Sequence, residues 1–313
     1  MPSTSPGNPT LNGQQVTLHH LMNAPLVIQR RLNELVHRRM VGGRLLTGRV
    51  DATGSGSAIF QASQPIFAND NAQRLTELSE YPLTDDSEAA PSIVSTDKWG
   101  LAGIISDEAI ARNRLDAFNQ KMSRLANTVV WGFDSIALSA IATTVLESTD
   151  AAAVWGTASA DPLLDVMLAK AAIDEEDAGY EADTIVATPT KWAQLVAATK
   201  VLEASPREAA DSNVLSGNMI RFAGLNILKT NHLPGGKEVM VLDSQALGSV
   251  VWEDRGGRGG PAGWMGDPSS VAGCETRVFR PEGIDGYRIE VRKVQVPWVQ
   301  EPSAARFIDG VSA

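Results

Sequence analysis

Residues Asp116 to Val145 read DAFNQKMSRLANTVVWGFDSIALSAIATTV, with apolar positions at Phe118, Met122, Leu125, Val129, Phe133, Ile136 and Ala140. These intervals of three and four trace one face of an α-helix. At 1.5 Å per residue, thirty residues extend roughly 45 Å, against about a dozen residues for an ordinary globular helix. Asn119, Lys121, Arg124, Asn127 and Asp134 lie mostly off the stripe. The stretch is therefore predicted to be a beam laid across a sheet, with a structural role.

The surrounding totals are those of a globular protein. The 313 residues suit two domains, or one body with large insertions, and 43% apolar with 20% charged residues excludes general disorder. No run approaches eighteen uninterrupted apolar residues, and the best, 136–146, is too short and too rich in Ser and Thr to span a bilayer. The start carries Pro2, Pro6, Gly7 and Pro9 and resembles neither a signal nor a transit peptide, so a flexible front end and an intracellular, non-membrane protein are expected. The one cysteine, Cys274, excludes an internal disulfide and a thiolate metal cage.

The net charge of -10 argues against broad coating of nucleic acid, but it is unevenly spread. Residues 1–50 hold Arg30, Arg31, Arg38, Arg39, Arg44 and Arg49 against one acid, Glu34, leaving about -15 for the rest. Asn23 and Pro25 open a predicted helix to about Met40, with Ile28, Leu32, Leu35 and Val36 on one face and arginines beside it; Gly42 and Gly43 are expected to end it.

Segments 44–52 and 57–63 around Thr53-Gly54-Ser55-Gly56 predict a β-hairpin. About thirty polar residues follow, with Pro65, Pro82 and Pro91 and the acids Asp85, Asp86 and Glu88. A connection of that length projects from the body or finds its partner on another chain. Residues 93–105 read as one returning strand, and Ser106-Asp107-Glu108 as the cap of a short helix. Past the long helix, 148–160 reads as a polar linker. Asp161-Pro162 opens a helix that Gly179 closes, with the acids Asp174 to Asp177 in its last turn, more a solvated face than a cation site.

A strand at 184–188 and a helix capped by Thr188-Pro189 come next, then strands at 226–230, 238–242 and 248–252. Gly256-Gly257-Arg258-Gly259-Gly260 lacks the Lys-Ser/Thr and the helix that a phosphate loop needs, and reads as a surface loop. Segments 275–281 and 286–298 form a predicted hairpin. Its apolar phase slips from Tyr287, Ile289 and Val291 to Val294, Val296 and Trp298, which predicts a bulge near Lys293. A last apolar piece surrounds Phe307 and Ile308.

Catalytic chemistry has little to work with. His19, His20, His37 and His232 form no metal-ligand spacing, no nucleophile elbow is present, and Cys274 has no local activating partner. No catalytic residue, metal ligand or cofactor is expected.

The order of parts is similar to that of the major capsid proteins of tailed bacteriophages with the Hong Kong 97-type fold. The stretch Gly179-Tyr180-Glu181-Ala182-Asp183-Thr184-Ile185-Val186-Ala187-Thr188-Pro189-Thr190-Lys191-Trp192 resembles the opening of that family's axial domain. The passages 224–235 and 241–244, and the ending Ala304-Ala305-Arg306-Phe307-Ile308-Asp309-Gly310, are similar too. The resemblance implies an α+β fold with an arm at 1–43, an extended loop at 44–96, a peripheral domain at 97–149 and 271–313, and an axial domain at 150–270. It implies pentamers and hexamers closing into an icosahedral shell around double-stranded DNA, located in the virion and assembled in the host cytoplasm. Scaffolding, portal and decoration proteins are then further partners, and Arg30, Arg31, Arg38 and Arg39 face the DNA. Some relatives carry a cleaved scaffolding segment ahead of the arm; none is seen here, so scaffolding is expected to be separate or already removed. Some relatives crosslink through a lysine of the extended loop, but the first lysine here is Lys98, so no crosslink through that loop is expected. Two alternatives stay open: an encapsulin-type compartment with protein cargo, and a soluble α/β enzyme.

Overall fold

Pro25, which lacks the N–H that a first helical turn leaves unpaired anyway, opens α1 (Pro25–Arg39). The computed structural model describes residues 24–61, 91–112, 115–176, 178–198, 221–255 and 263–312, with residues 74, 75, 79–81, 83 and 201. Met40 is extended, and one further helical turn, α2 (Gly42–Leu45), follows it. Gly42 and Gly43 thus begin a second turn where the sequence predicts only an ending. The chain continues through β1 (Gly48–Asp51), β2 (Ser57–Phe60), β3 (Ser92–Ser95), β4 (Lys98–Ser106), α3 (Asp107–Ala111) and the long helix α4 (Leu115–Thr144). Next come β5 (Ser148–Asp150), α5 (Pro162–Asp174), β6 (Thr184–Ala187), α6 (Pro189–Ala197), β7 (Arg221–Phe222), β8 (Leu225–Lys229) and β9 (Val239–Leu242). The last elements are β10 (Gly248–Trp252), β11 (Met265–Gly266), β12 (Glu275–Phe279), β13 (Gly286–Val299), a 3-10 turn at Pro302–Ala304 and β14 (Ala305–Asp309).

Two sheets carry the fold. The first runs β1-β10-β13-β12-β11 with β4 also paired to β13; the second runs β5-β14-β9-β6-β8-β7. Strand β10, inside the range 150–270, lies in the first sheet, and β14, inside 271–313, lies in the second. The predicted hairpin over 44–63 does not form. The turn at 53–56 is present, but β1 pairs in parallel with β10 and β2 pairs with β3. Local turn residues set the reversal, whereas non-local partners took both strands. The single strand expected over 93–105 is likewise split, into β3 and β4.

The phase slip in β13 has another cause than a bulge. Its register with β4 is unbroken from Gly286 opposite Ser106 to Val294 opposite Lys98. On its other pairings, β13 passes from β12, which ends opposite Arg292, to β10, which starts opposite Gln295. Ile289 and Val291 belong to the main core beneath α4, while Val296 and Trp298 pack on the opposite face against Ala58, Phe60 and Val94 of the β2–β3 pair. Phe60 and Trp298 stack at 5.6 Å. Two layers cover opposite faces of one long strand, so the apolar residues change parity without an inserted residue.

The central strands of the second sheet, β6 and β9, are buried on both faces, which explains their unbroken apolar runs. Ile185, Ala187, Val239 and Val241 face α5 and α6, and Val186, Met240 and Leu242 face the main core. The region 148–160 is no simple linker: β5 pairs in parallel with β14, and Trp155 is fully buried with its indole N–H donating to Asp165 Oδ2 at 2.8 Å. Helix α5 is capped by Asp161 and stops before Gly179, whose φ of +75° suits glycine.

Helix α4 spans 30 residues. Phe118, Met122, Leu125 and Phe133 are buried, and the stripe continues through Ala126, Val130, Ala137, Leu138, Ile141 and Val145. Val129 is half-buried and packs against the same core. Ile136 is also half-buried, because a straight helix at 3.6 residues per turn carries the buried seam to Ala137 and Leu138. Phe118–Thr144 is long and apolar enough by composition to cross a membrane, yet its stripe is the core of this protein.

Candidate functional site

The junction of α1, α2 and α4 is built on one carboxylate. Asp134 of α4, expected off the apolar stripe, is fully buried and accepts the Val41 N–H at 3.1 Å and the Gly42 N–H at 2.8 Å. These are donors that the start of α2 leaves open, so a side chain 92 residues away caps this turn. A Cβ on Gly42 would meet Ala137 Cβ at 2.7 Å, so glycine permits this close approach of the chain to α4. His232, on the β8–β9 connection, brings Nδ1 within 3.5 Å of Asp134 Oδ2. Burial pushes the Asp134 carboxyl upward, while the Gly42 and Val41 N–H groups and His232 hold it down.

Below α4, β13 places two cations in the interior. Arg292 is clamped by Glu275, with Nε to Oε2 at 2.6 Å and Nη2 to Oε1 at 3.1 Å, and its guanidinium lies 4.2 Å from the Trp264 ring centre. Lys293 donates to the Ala272 carbonyl at 2.6 Å and lies 4.1 Å from the Phe133 ring centre. Cys274 shares that carbonyl; burial pushes its thiol up and leaves it inert. For Lys293, loss of water outweighs the attraction of Cys274 and Asp134, and Arg49 adds repulsion, so its pKa is pushed down to about 8.

That shift has a sign. An unfolded lysine titrates near 10.4, so between about pH 8 and about 10.4 the unfolded chain binds more protons and stability rises with pH. Wild type relative to Lys293→Met is expected to gain up to about 1.4 kcal/mol per pH unit across that window, measured by chemical denaturation. A flat difference would contradict it.

The arm arginines divide by role. Arg30, Arg31, Arg38 and Arg39 are exposed along α1; Arg38 pairs with Glu34, and Arg39 donates to Asn127 of α4. Arg44 and Arg49 are tied up in the fold: Arg44 donates to the His37 carbonyl, and Arg49 to those of Gly43, Leu46 and Gly48.

Among the described residues, apolar surface is left open in at least three places. Between β4 and α4 lies an apolar groove of about 360 Å³, lined by Trp99, Leu101, Val129, Trp131 and Ile136, with Trp131 60% exposed. On β2–β3, the cross-strand pair Ile59 and Ile93 is 71% and 70% exposed on the face away from the core. On α5, Leu164, Met167 and Leu168 point outward. Such patches mark interaction surfaces.

Among the described residues, no group of three His, Cys, Asp or Glu could hold a metal. Of the acids at 174–177, Glu176 pairs with Arg306 at 3.0 Å. His19, His20, Asp177 and the glycine run 256–260 lie outside the described residues, as does most of the connection 62–90 with Asp85, Asp86 and Glu88. The Asp134 junction and the buried cations were missed by sequence reasoning; the one available signal was a charge beside a helix seam.

Among the described residues, one long helix lies across the core and apolar patches are left open on the surface, as on proteins that meet other chains. The chain belongs to the phage capsid protein family, which matches residues 89–307. It is similar to the capsid of cyanophage P-SCSP1u at 17% identity, covering 99% of this chain and 93% of that one, with a TM-score of 0.59. It is also similar to a phage-related protein from Bordetella bronchiseptica RB50 at 12% identity, covering 90% and 96%, TM-score 0.56. A virus-like particle from Pyrococcus furiosus is similar at 14% identity, covering 91% and 98%, TM-score 0.54. No curated protein matches the chain in sequence. As a member of that family it is a phage capsid protein, a component of the virion shell.

Proposed function

We propose that the chain forms pentamers and hexamers of an icosahedral shell of the Hong Kong 97 type around double-stranded DNA, assembled in the host cytoplasm. The observation that carries this reading is the exposed apolar surface at three separate places on one chain, since a single partner would need only one. Contacts that do not close on the same patch build rings and shells. In this reading 1–43 is an inward arm, 44–96 an extended loop whose strands β1, β2 and β3 stay on this chain's first sheet, and the peripheral and axial parts are centred on the first and second sheets. The peripheral part then includes β10 and the axial part β14. Scaffolding, portal and decoration proteins would complete the particle. Negative-stain microscopy beside sedimentation velocity tests the assembly; shells, tubes or capsomer rings are expected, and a monomer that stays monomeric with scaffolding present would overturn it.

Arg30, Arg31, Arg38 and Arg39 are the residues proposed to meet phosphate. Each neutralised phosphate adds about 0.9 to the slope of log affinity against log salt. Changing all four to Gln is expected to reduce that slope by up to about 3.6 and to loosen DNA retention. Unchanged assembly and retention across salt would refute the interior arm. A second reading, a compartment holding protein cargo, draws support from the likeness to a virus-like particle; whether DNA or an enzyme co-purifies separates the two.

A further inference from the structure

His232 Nδ1 is buried, has no hydrogen-bond partner, and lies 3.5 Å from a carboxylate that is itself fully buried. An orphaned buried nitrogen costs free energy, and a proton on it would turn this approach into a charge-assisted hydrogen bond. The same carboxylate holds the backbone of Val41 and Gly42, where the basic helix α1 joins the body. His232 itself is 24% exposed, so protons reach it from solvent. We propose that His232 and Asp134 form a proton-operated latch that tightens the arm junction onto the long helix when His232 is protonated.

The other charges around the latch set its direction. Lys293 on β13 faces Asp134, and Arg49 and Cys274 in turn face Lys293. On the arm side Arg39 is directed to Asn127 and Arg44 to the His37 carbonyl, so neither takes Asp134 as its partner. Lys229, at the end of β8, lies over the Trp192 ring. The His232 proton thus meets one buried anion that is otherwise held by the Val41 and Gly42 N–H groups. Acidification that protonates His232 strengthens the latch. Stronger acid protonates Asp134, whose carboxyl burial pushes upward, and releases it.

The test is hydrogen exchange of the segment 36–46 in the full chain, as free subunits and as particles, corrected for intrinsic rates. In wild type, exchange at Val41 and Gly42 is expected to slow about tenfold from pH 8 to about 5.5, the change that 1.4 kcal/mol of added protection produces. In His232→Gln the exchange is expected to vary less than twofold over the same range. A pH-independent wild type, or a variant that keeps the wild-type dependence, overturns the latch. Asp134→Asn is expected to lose both the protection and its pH dependence; should it fail to fold, the His232 variant alone decides. The outcome leaves the shell reading untouched, since that stands on particle formation.

Discussion

Glu275→Ala is expected to destabilise the unassembled subunit by about 3–5 kcal/mol, the largest effect of any single change to a polar residue here. Glu275 is 1% and Arg292 7% exposed, and the variant leaves a guanidinium in the interior beside the Trp264 ring without its carboxylate. The cost comes mainly from stranding that charge, because the intact pair had to be desolvated too. Replacing both partners together, as Glu275→Leu with Arg292→Met, is therefore expected to be far milder than the sum of the single changes. Denaturant midpoints for the two single variants and the double give the coupling; additive losses would show that the pair contributes nothing as a pair.

Phe133→Ala is expected to cost about 3–5 kcal/mol, at the upper end for a core truncation. The ring is 4% exposed on α4 and does two things at once: it fills the space between helix and sheet, and it presents its face to the Lys293 ammonium at 4.1 Å. Its loss leaves a cavity beside a cation that burial already disfavours. Trp131→Ala, two positions away but 60% exposed, is expected to change the isolated subunit by no more than about 0.5 kcal/mol. Equal losses for the two would mean that the groove wall, and not the helix seam, holds α4 to the sheet.

The parts legible in the sequence were those whose signals are local. Asp161 before Pro162, Thr188 before Pro189 and Ser106 before two acids each sit as the N-cap of the predicted helix, because a cap is made within three residues. The 30-residue helix was legible because its period repeats many times. The candidate site was legible only as a cluster of arginines; what Asp134, His232 and Lys293 do depends on residues 92, 98 and 21 positions away.

Composition, periodicity and caps determined by themselves that this chain is a mixed α and β protein organised on one long helix. Its ordered parts also carried the likeness to phage capsid proteins that the family match then established. Strand partnership was left to tertiary structure, because the apolar pattern of a strand names the faces it buries and not the neighbour it pairs with. So the turn at 53–56 suggested a hairpin, while β1 found β10 201 positions on, Gly48 opposite Ser249. The change of parity in β13 suggested a bulge, while two layers on opposite faces produced it. Burial of a charge is decided the same way: Asp134 and Lys293 read as ordinary polar residues until distant backbone groups surround them, and only then does desolvation set their chemistry.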